Sequence, residues 1–208
     1  MMDAAMKIAT VLDQIDIGNM ALPEFQRGYV WNRDQVRGLM YSLYRQHPVG
    51  GLLVWVTRTE NADTRGEQET PAGTVKLLLD GQQRITTLYG IVRGKPPKFF
   101  EGNKLAFTGL YFNLESEAFE FYAPLKMKDD PLWLSVTELM QQGAGAVMQK
   151  LFLIPELAVS IQTYLNRINA IDNIKNIDLH IDEVTGEDKT VDIVVDIFNR
   201  VNSGGTKL

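Results

Sequence analysis

The run Val75–Leu79 is apolar except at Lys76, and the polar block Asp80-Gly81-Gln82-Gln83-Arg84 follows it with no spacer. Few arrangements accept that change of character within one residue. An apolar run bounded by a turn suits a strand buried on both faces. The glycine supplies the turn. The spacing from Arg84 to Arg93 predicts a helix, which Gly94 and Pro96-Pro97 close. A helix start presents unpaired backbone N–H groups and the positive end of the helix dipole, which together bind anions. Arg84 adds a bidentate fork for phosphate oxygens. Gln82 and Gln83 each donate and accept, so either suits a water or a base edge. Asp80 suits a helix cap, or a divalent cation shared with phosphate. A plain capped strand–turn–helix would use some of these residues, but it does not require so many polar ones together.

The rest of the chain bounds the chemistry. It has 208 residues, enough for a sizeable core in one domain spanning 1–208. There is no cysteine, which excludes disulfides, thiolate catalysis and cysteine-based zinc sites. The two histidines, His47 and His180, are not at metal-ligand spacing. His47 suits a helix C-terminus, and His180 falls in an alternating strand. No Ser/His/Asp triad and no H-N-H nuclease pattern can be assembled. The acidic N-terminus lacks the apolar stretch of a signal peptide, and no segment approaches the roughly 18 apolar residues of a membrane span. A cytoplasmic protein without membrane contact is expected. Net charge is −5, so the chain lacks the overall basic character of a typical nucleic-acid binder.

The remaining periodicities predict an α+β fold, a mixed sheet with flanking helices. A helix is expected over Lys7–Ile17 and another over Arg33–Gln46, with Asn32 as N-cap and Gln35 as its capping-box partner. Strands are expected at Leu52–Thr57 and Ile177–Val184, and a hairpin at Leu110–Leu114 and Ala118–Tyr122. The stretch 135–171 reads as a helical insertion that breaks near Gly143-Ala144-Gly145 and restarts at Pro155. Val191–Asn202 reads as a last helix before Ser203-Gly204-Gly205. The closing Thr206-Lys207-Leu208 suggests an element about to begin, hence a chain truncated before a C-terminal region.

Two further segments carry polar residues that suit a ligand. In Pro23–Trp31, the aromatics Phe25, Tyr29 and Trp31 interleave with Glu24, Gln26 and Arg27. Such interleaving can stack a base and hold a phosphate. The aromatics also suit plain core anchors, whereas Gln26 and Arg27 would be expensive to bury without partners. In Ile197–Gly205, Arg200 and Asn202 lie at a helix end that could aim both at one pocket. Gly204 and Gly205 suit a helix C-cap or a close backbone approach to a ligand.

Taken in order, these segments resemble the N-terminal domain family of GmrSD-type modification-dependent restriction enzymes. The likeness rests on Pro23, Phe25, Gln26, Arg27, Tyr29 and Trp31, then Pro48 and Gly50, then Asp80–Arg84 with Thr86. It ends on Phe198, Arg200, Asn202, Ser203, Gly204 and Gly205. It runs from about Ile8 to Leu208 and is loose from Pro96 to Asn176. The resemblance implies a ParB/sulfiredoxin-like superfamily fold whose site lies at a strand–turn–helix bearing an arginine. It implies phage defence, with binding and hydrolysis of nucleoside triphosphates and, in some members, sensing of modified DNA. Many members continue into a C-terminal H-N-H-type nuclease domain. This sequence has neither the nuclease histidines nor the length for one, so cleavage of DNA by these residues alone is not expected. Sulfiredoxin chemistry needs a cysteine and is excluded.

The combined expectation is an NTP-dependent module of a restriction system. Asp80, Gln82, Gln83 and Arg84 would be catalytic. Gln26, Arg27, Gly81, Thr86, Arg200, Asn202, Gly204 and Gly205 would hold the nucleotide and its phosphates. Tyr29 and Trp31 would stack the base, and Mg²⁺ would sit at Asp80 or Glu24. Expected partners are a nucleoside triphosphate, modified DNA, and a C-terminal nuclease domain or partner subunit. The alternative is a nucleotide-gated or modified-DNA sensing module with no chemistry of its own.

Overall fold

A computed structural model of the chain describes residues 2–66, 70–186 and 189–203. In chain order the regular elements begin with β1 (Met2–Lys7), α1 (Ile8–Asp16), β2 (Met20–Ala21), α2 (Arg33–Tyr44), β3 (Leu52–Arg58), β4 (Thr74–Asp80) and α3 (Gln82–Arg93). They continue with β5 (Leu110–Asn113), β6 (Phe119–Phe121), α4 (Pro124–Met127), β7 (Trp133–Ser135), α5 (Val136–Gln142) and α6 (Ala144–Phe152). The last are α7 (Ile161–Asp172), β8 (Asp178–Val184) and α8 (Val191–Ser203).

The expected mixed sheet is present. Five strands run in the order β1-β8-β3-β4-β2. The β1–β8 and β3–β4 pairs are antiparallel, while β8–β3 and β4–β2 are parallel. A second, antiparallel sheet has the order β6-β5-β7. β4 lies between two neighbours, and both of its faces are covered. Leu78 points into the main core, and Leu77 and Leu79 point into a smaller one on the opposite face, as the two-residue period of a strand requires. That explains the three consecutive leucines, while Lys76 is only partly buried and pairs with Glu183.

The main core takes the apolar stripes of α1 (Ile8, Val11, Leu12, Ile15) and α2 (Val36, Leu39, Met40, Leu43). It also takes most of α3, whose residues Ile85 to Val92 are all buried. The smaller core gathers Leu53, Trp55, Val75 and Val184 around Val194 of α8, with Ile197 and Phe198 partly buried beside them. The helical stretch follows its expected break. Gly143 separates α5 from α6, and α7 begins past Pro155. Glu117 fastens α7 to the body of the molecule. Its carboxylate accepts from the Tyr44 hydroxyl (2.7 Å) and from Arg167 Nη2 (2.9 Å), and it pairs with Arg45 at 3.3 Å.

Two strands form where local sequence gives no hint. Met2–Lys7 carries Ala-Ala and an acid and no β-branched residue, yet it pairs along its length with Asp178–Glu183. Pairing with an existing edge outweighs its weak strand propensity. β7 is only three residues long and exists by pairing with β5.

The start of α2 is set by chemistry visible in the sequence. The Asn32 side chain accepts from the backbone N–H of Asp34 and Gln35, and the Gln35 side chain accepts from the Asn32 N–H. Removing the cap by Asn32→Ala should lower unfolding stability by about 1 kcal/mol, read as a lower urea midpoint at unchanged slope.

Candidate functional site

The end of β4 and the start of α3 form one wall of a cleft. Near this end the pairing of β3 and β4 is irregular: Val54 faces Leu78, but Leu53 faces Asp80. A slip of this kind re-aims the side chains beside it. Gly81 then turns the chain at φ +92°, a left-handed conformation that favours glycine. A Cβ here would also lie 2.3 Å from Leu52 Cδ2. Gly81 is the N-cap of α3 and provides no side chain to cap the first turn. The N–H groups of that turn are therefore the orphan donors that favour an anion.

The opposite wall is the irregular segment Pro23–Trp31, and side-chain amides hold it in place. Gln26 is buried, and its Nε2 donates to the Leu79 carbonyl at the end of β4 (2.7 Å). Gln82 Nε2 donates to the Arg27 carbonyl (2.7 Å). Gln83 Nε2 donates to the Gly28 carbonyl (3.2 Å), and its Oε1 accepts from the N–H groups of Val30 (2.9 Å) and Trp31 (3.3 Å). These amides do for an irregular segment what a ladder does for a strand. Gln26, Gln82 and Gln83, expected to meet a ligand, all line the cleft. Their amide nitrogens are nonetheless committed to the backbone.

Arg84 is likewise bound within the protein. Its Nη1 donates to the Val49 carbonyl (2.6 Å), and its Nη2 donates to the Gly51 carbonyl (2.7 Å) and lies 3.4 Å from Asp80 Oδ2. Both terminal nitrogens of the fork expected to meet phosphate bind this loop. Gly50, at φ +81°, passes so close that a Cβ would lie 3.0 Å from Arg84 Nη1. Burial pulls the Arg84 pKa below its usual value, and the nearby Asp80 carboxylate opposes that shift.

Between the two walls lies a cavity of about 600 Å³, within the range of small-molecule sites. Phe25, Gln26, Arg27 and Trp31 line it from one side and Leu79 to Arg84 from the other, and Phe198 of α8 enters from a third. Arg27 is exposed and makes no ion pair or side-chain hydrogen bond with any described residue. It is the cation in this cavity that the described residues leave unmatched.

Several sequence assignments are corrected. Tyr29 cannot stack a base. Its ring is buried against Phe100 and Phe107, and its hydroxyl lies 2.8 Å from Thr87 Oγ1. Thr86 is buried on α3 and does not line the cavity. Arg200 does not line it either: it is 80% exposed and pairs with Asp196 one turn back at 2.9 Å. The reason is helical geometry. Val194, Ile197 and Phe198 form the docked face, and Arg200 lies about 200° around the helix from Phe198. The Asn202 side chain, Gly204 and Gly205 lie outside the described residues. Glu24 lines a separate cavity with Asp63, so it does not join Asp80. Asp80 is the carboxylate at the cleft, and among the described residues no group of three or more His, Asp or Glu side chains could hold a metal ion. One carboxylate does fit Mg²⁺ carried mainly by phosphates, because Mg²⁺ keeps most of its waters and takes few protein ligands. The reading of the sequence missed Phe198 as a cavity wall. Its i, i+4 relation to buried Val194 was the available signal.

The segments that build this cleft are those of a known family. The GmrSD restriction endonuclease N-terminal domain family matches residues 8–208, and the chain belongs to it. A stretch of 82 residues is 38% identical to an uncharacterised protein of Methanocaldococcus jannaschii. That match takes in 35% of this chain and 14% of the archaeal protein's length. Among the described residues, no helix is long and apolar enough to cross a membrane.

The amides and Arg27 should separate cleanly in a stability measurement. Gln83→Ala frees three hydrogen bonds and should lower unfolding stability by about 1–3 kcal/mol. Arg27→Ala should stay within about 0.5 kcal/mol of the parent, both read from urea denaturation.

Proposed function

We propose that the cleft binds a nucleoside triphosphate, as the NTP-dependent module of a modification-dependent restriction system acting in phage defence. The observation that carries this is the placement of exposed Arg27, unmatched by described residues, in the same cavity as the uncapped start of α3. An uncapped first turn and an unpaired guanidinium form an anion site on their own. Gly81 keeps side-chain bulk away from it. Arg84 acts mainly by holding the Val49–Gly51 loop against the turn and only secondarily through its charge. A ParB/sulfiredoxin-like assignment is consistent with this reading, since it too places a site at a strand–turn–helix bearing an arginine.

Hydrolysis is the further step of the same reading. Water attacks the terminal phosphorus, the bond to the bridging oxygen breaks, and inorganic phosphate leaves with the proton balance made by solvent. Such reactions depend mostly on positioning and charge stabilisation. Mg²⁺, when bound, neutralises charge on the phosphates, and Asp80 is the residue that would hold it. Arg27 stabilises charge on the transferred group. DNA cleavage is assigned to a C-terminal nuclease domain or partner subunit, because this sequence holds no H-N-H pattern.

A second reading is favoured by one observation. The amide nitrogens of Gln26, Gln82 and Gln83 are spent on backbone carbonyls, which leaves the glutamines less free to orient a water. The domain would then bind nucleotide, or sense modified DNA, without chemistry. Calorimetry with GTP, UTP, CTP and ATP in the presence of Mg²⁺, together with phosphate release, decides between the two. Arg27→Ala should weaken binding by about tenfold or more at an unchanged unfolding midpoint. Unaltered affinity in that variant would remove the assignment. Asp80→Asn should abolish phosphate release while binding persists, whereas absence of release from the parent protein selects the sensing reading.

A further inference from the structure

The aromatic lining of the cleft has no role in holding phosphate. Phe25 and Trp31 of one irregular segment meet Phe198 of the distant α8 at one cavity. Phe25 is 41% exposed and stands between this cavity and the neighbouring one. One exposed ring needs no ligand to explain it, but here it joins two further rings around one cavity, and apolar surface gathered in a groove marks a ligand site. Trp31 is partly buried against the main core and held at its backbone by Gln83. Phe198 is partly buried against the smaller core. Each ring is therefore anchored on one side and open to the cavity on the other, except Phe25, which is freer.

From this we infer that Phe198 of α8, with Phe25, forms the base-binding wall of the cleft, so that the ligand is recognised as a nucleotide and not merely as a polyphosphate. The inference rests on the phosphate assignment to Arg27 and the α3 start. Flat aromatic surface gains stacking contact from a nucleobase and little from a phosphate chain. The wall also explains why α8 belongs to the site although Arg200 faces away from it. Docking of α8 on the sheet depends on Val194, Ile197 and Phe198. A base seated against Phe198 adds contact to that docked face, so an occupied cleft holds α8 more firmly.

The test compares each nucleoside triphosphate with inorganic tripolyphosphate, which carries the phosphates and no base. Phe198→Ala should weaken nucleotide binding by about tenfold and leave tripolyphosphate affinity unchanged. Phe25→Ala, at an exposed position, provides the same comparison if Phe198→Ala fails to fold. Hydrogen exchange adds a structural readout: α8 amides should be slowed by nucleotide but not by tripolyphosphate. Equal affinity of the parent for nucleotide and tripolyphosphate would overturn the base wall and leave the phosphate site standing. So would nucleotide affinity unchanged in both variants. Failure of the parent to bind either ligand would remove the phosphate site, and the base wall with it.

Discussion

Three glutamine amides fasten Pro23–Trp31 to the end of β4 and the first turn of α3, and the cleft depends on them. The segment has little ladder of its own: an isolated bridge between Pro23 and Thr64, a Glu24 N–H bond to the Asp63 carbonyl (3.0 Å), a Gln26 N–H bond back to the Pro23 carbonyl (3.1 Å) and a Tyr29 N–H bond to the Glu101 carbonyl (2.7 Å). Without the amides it would be a loop with several unpaired backbone groups beside a buried strand end, an arrangement that folded chains avoid. With them, Arg27 and Phe25 are held beside the α3 turn by their own backbone. Their side chains stay uncommitted because the backbone alone is fixed. A residue whose main chain is rigid and whose side chain is unpaired is prepared for a ligand at little ordering cost.

Arg84 plays a complementary part at the other side of the turn. A guanidinium this deeply placed needs partners, because burying an unpaired charge is very costly. It finds them in two loop carbonyls and Asp80. Gly50 and Gly81 make room for it, one on each flank. The result is a rigid cradle around the start of α3. Asp80 supports Arg84, and its carboxylate oxygen sits at 3.4 Å, a loose ion pair that leaves it 45% exposed at the cleft. Arg84 and Asp80 thus divide the work, one holding structure and the other meeting solvent.

Much of the fold was legible because its signals are local. The stripes of α1 and α2, the Asn32 capping box, the hairpin of β5 and β6, the glycine break before α6 and the leucine run of β4 all follow from neighbours in sequence. β1 and β7 were not legible, because they exist by pairing with distant strands. The same division holds at the site. Gln26, Arg27 and Asp80–Arg84, singled out in the sequence as polar residues crowded at turns, lie together at one cleft. Their individual roles were less visible. Residue type declares that Arg84 can donate, but not that Val49 and Gly51, 35 and 33 residues earlier, will accept. Tyr29 looked like Trp31 in the sequence, and only the packing of Phe100 and Phe107 around it separates a core ring from a cleft ring.

The acidic balance of the chain sharpens what kind of recognition the cleft can support. With a net charge of −5, the protein's overall field repels a polyanion. Screening confines that repulsion to about 8 Å at physiological ionic strength, so attraction has to come from groups in contact with the ligand. The cleft supplies them at short range: helix-start N–H groups, one unmatched arginine and aromatic surface. Such a set suits a compact ligand carrying both charge and a flat ring better than a long duplex, whose binding draws on many cations spread over a surface. The same reasoning gives α8 its importance. It adds the aromatic part of the set from outside the β4–α3 unit, and so it joins the start of the chain, its central turn and its last described helix in one site.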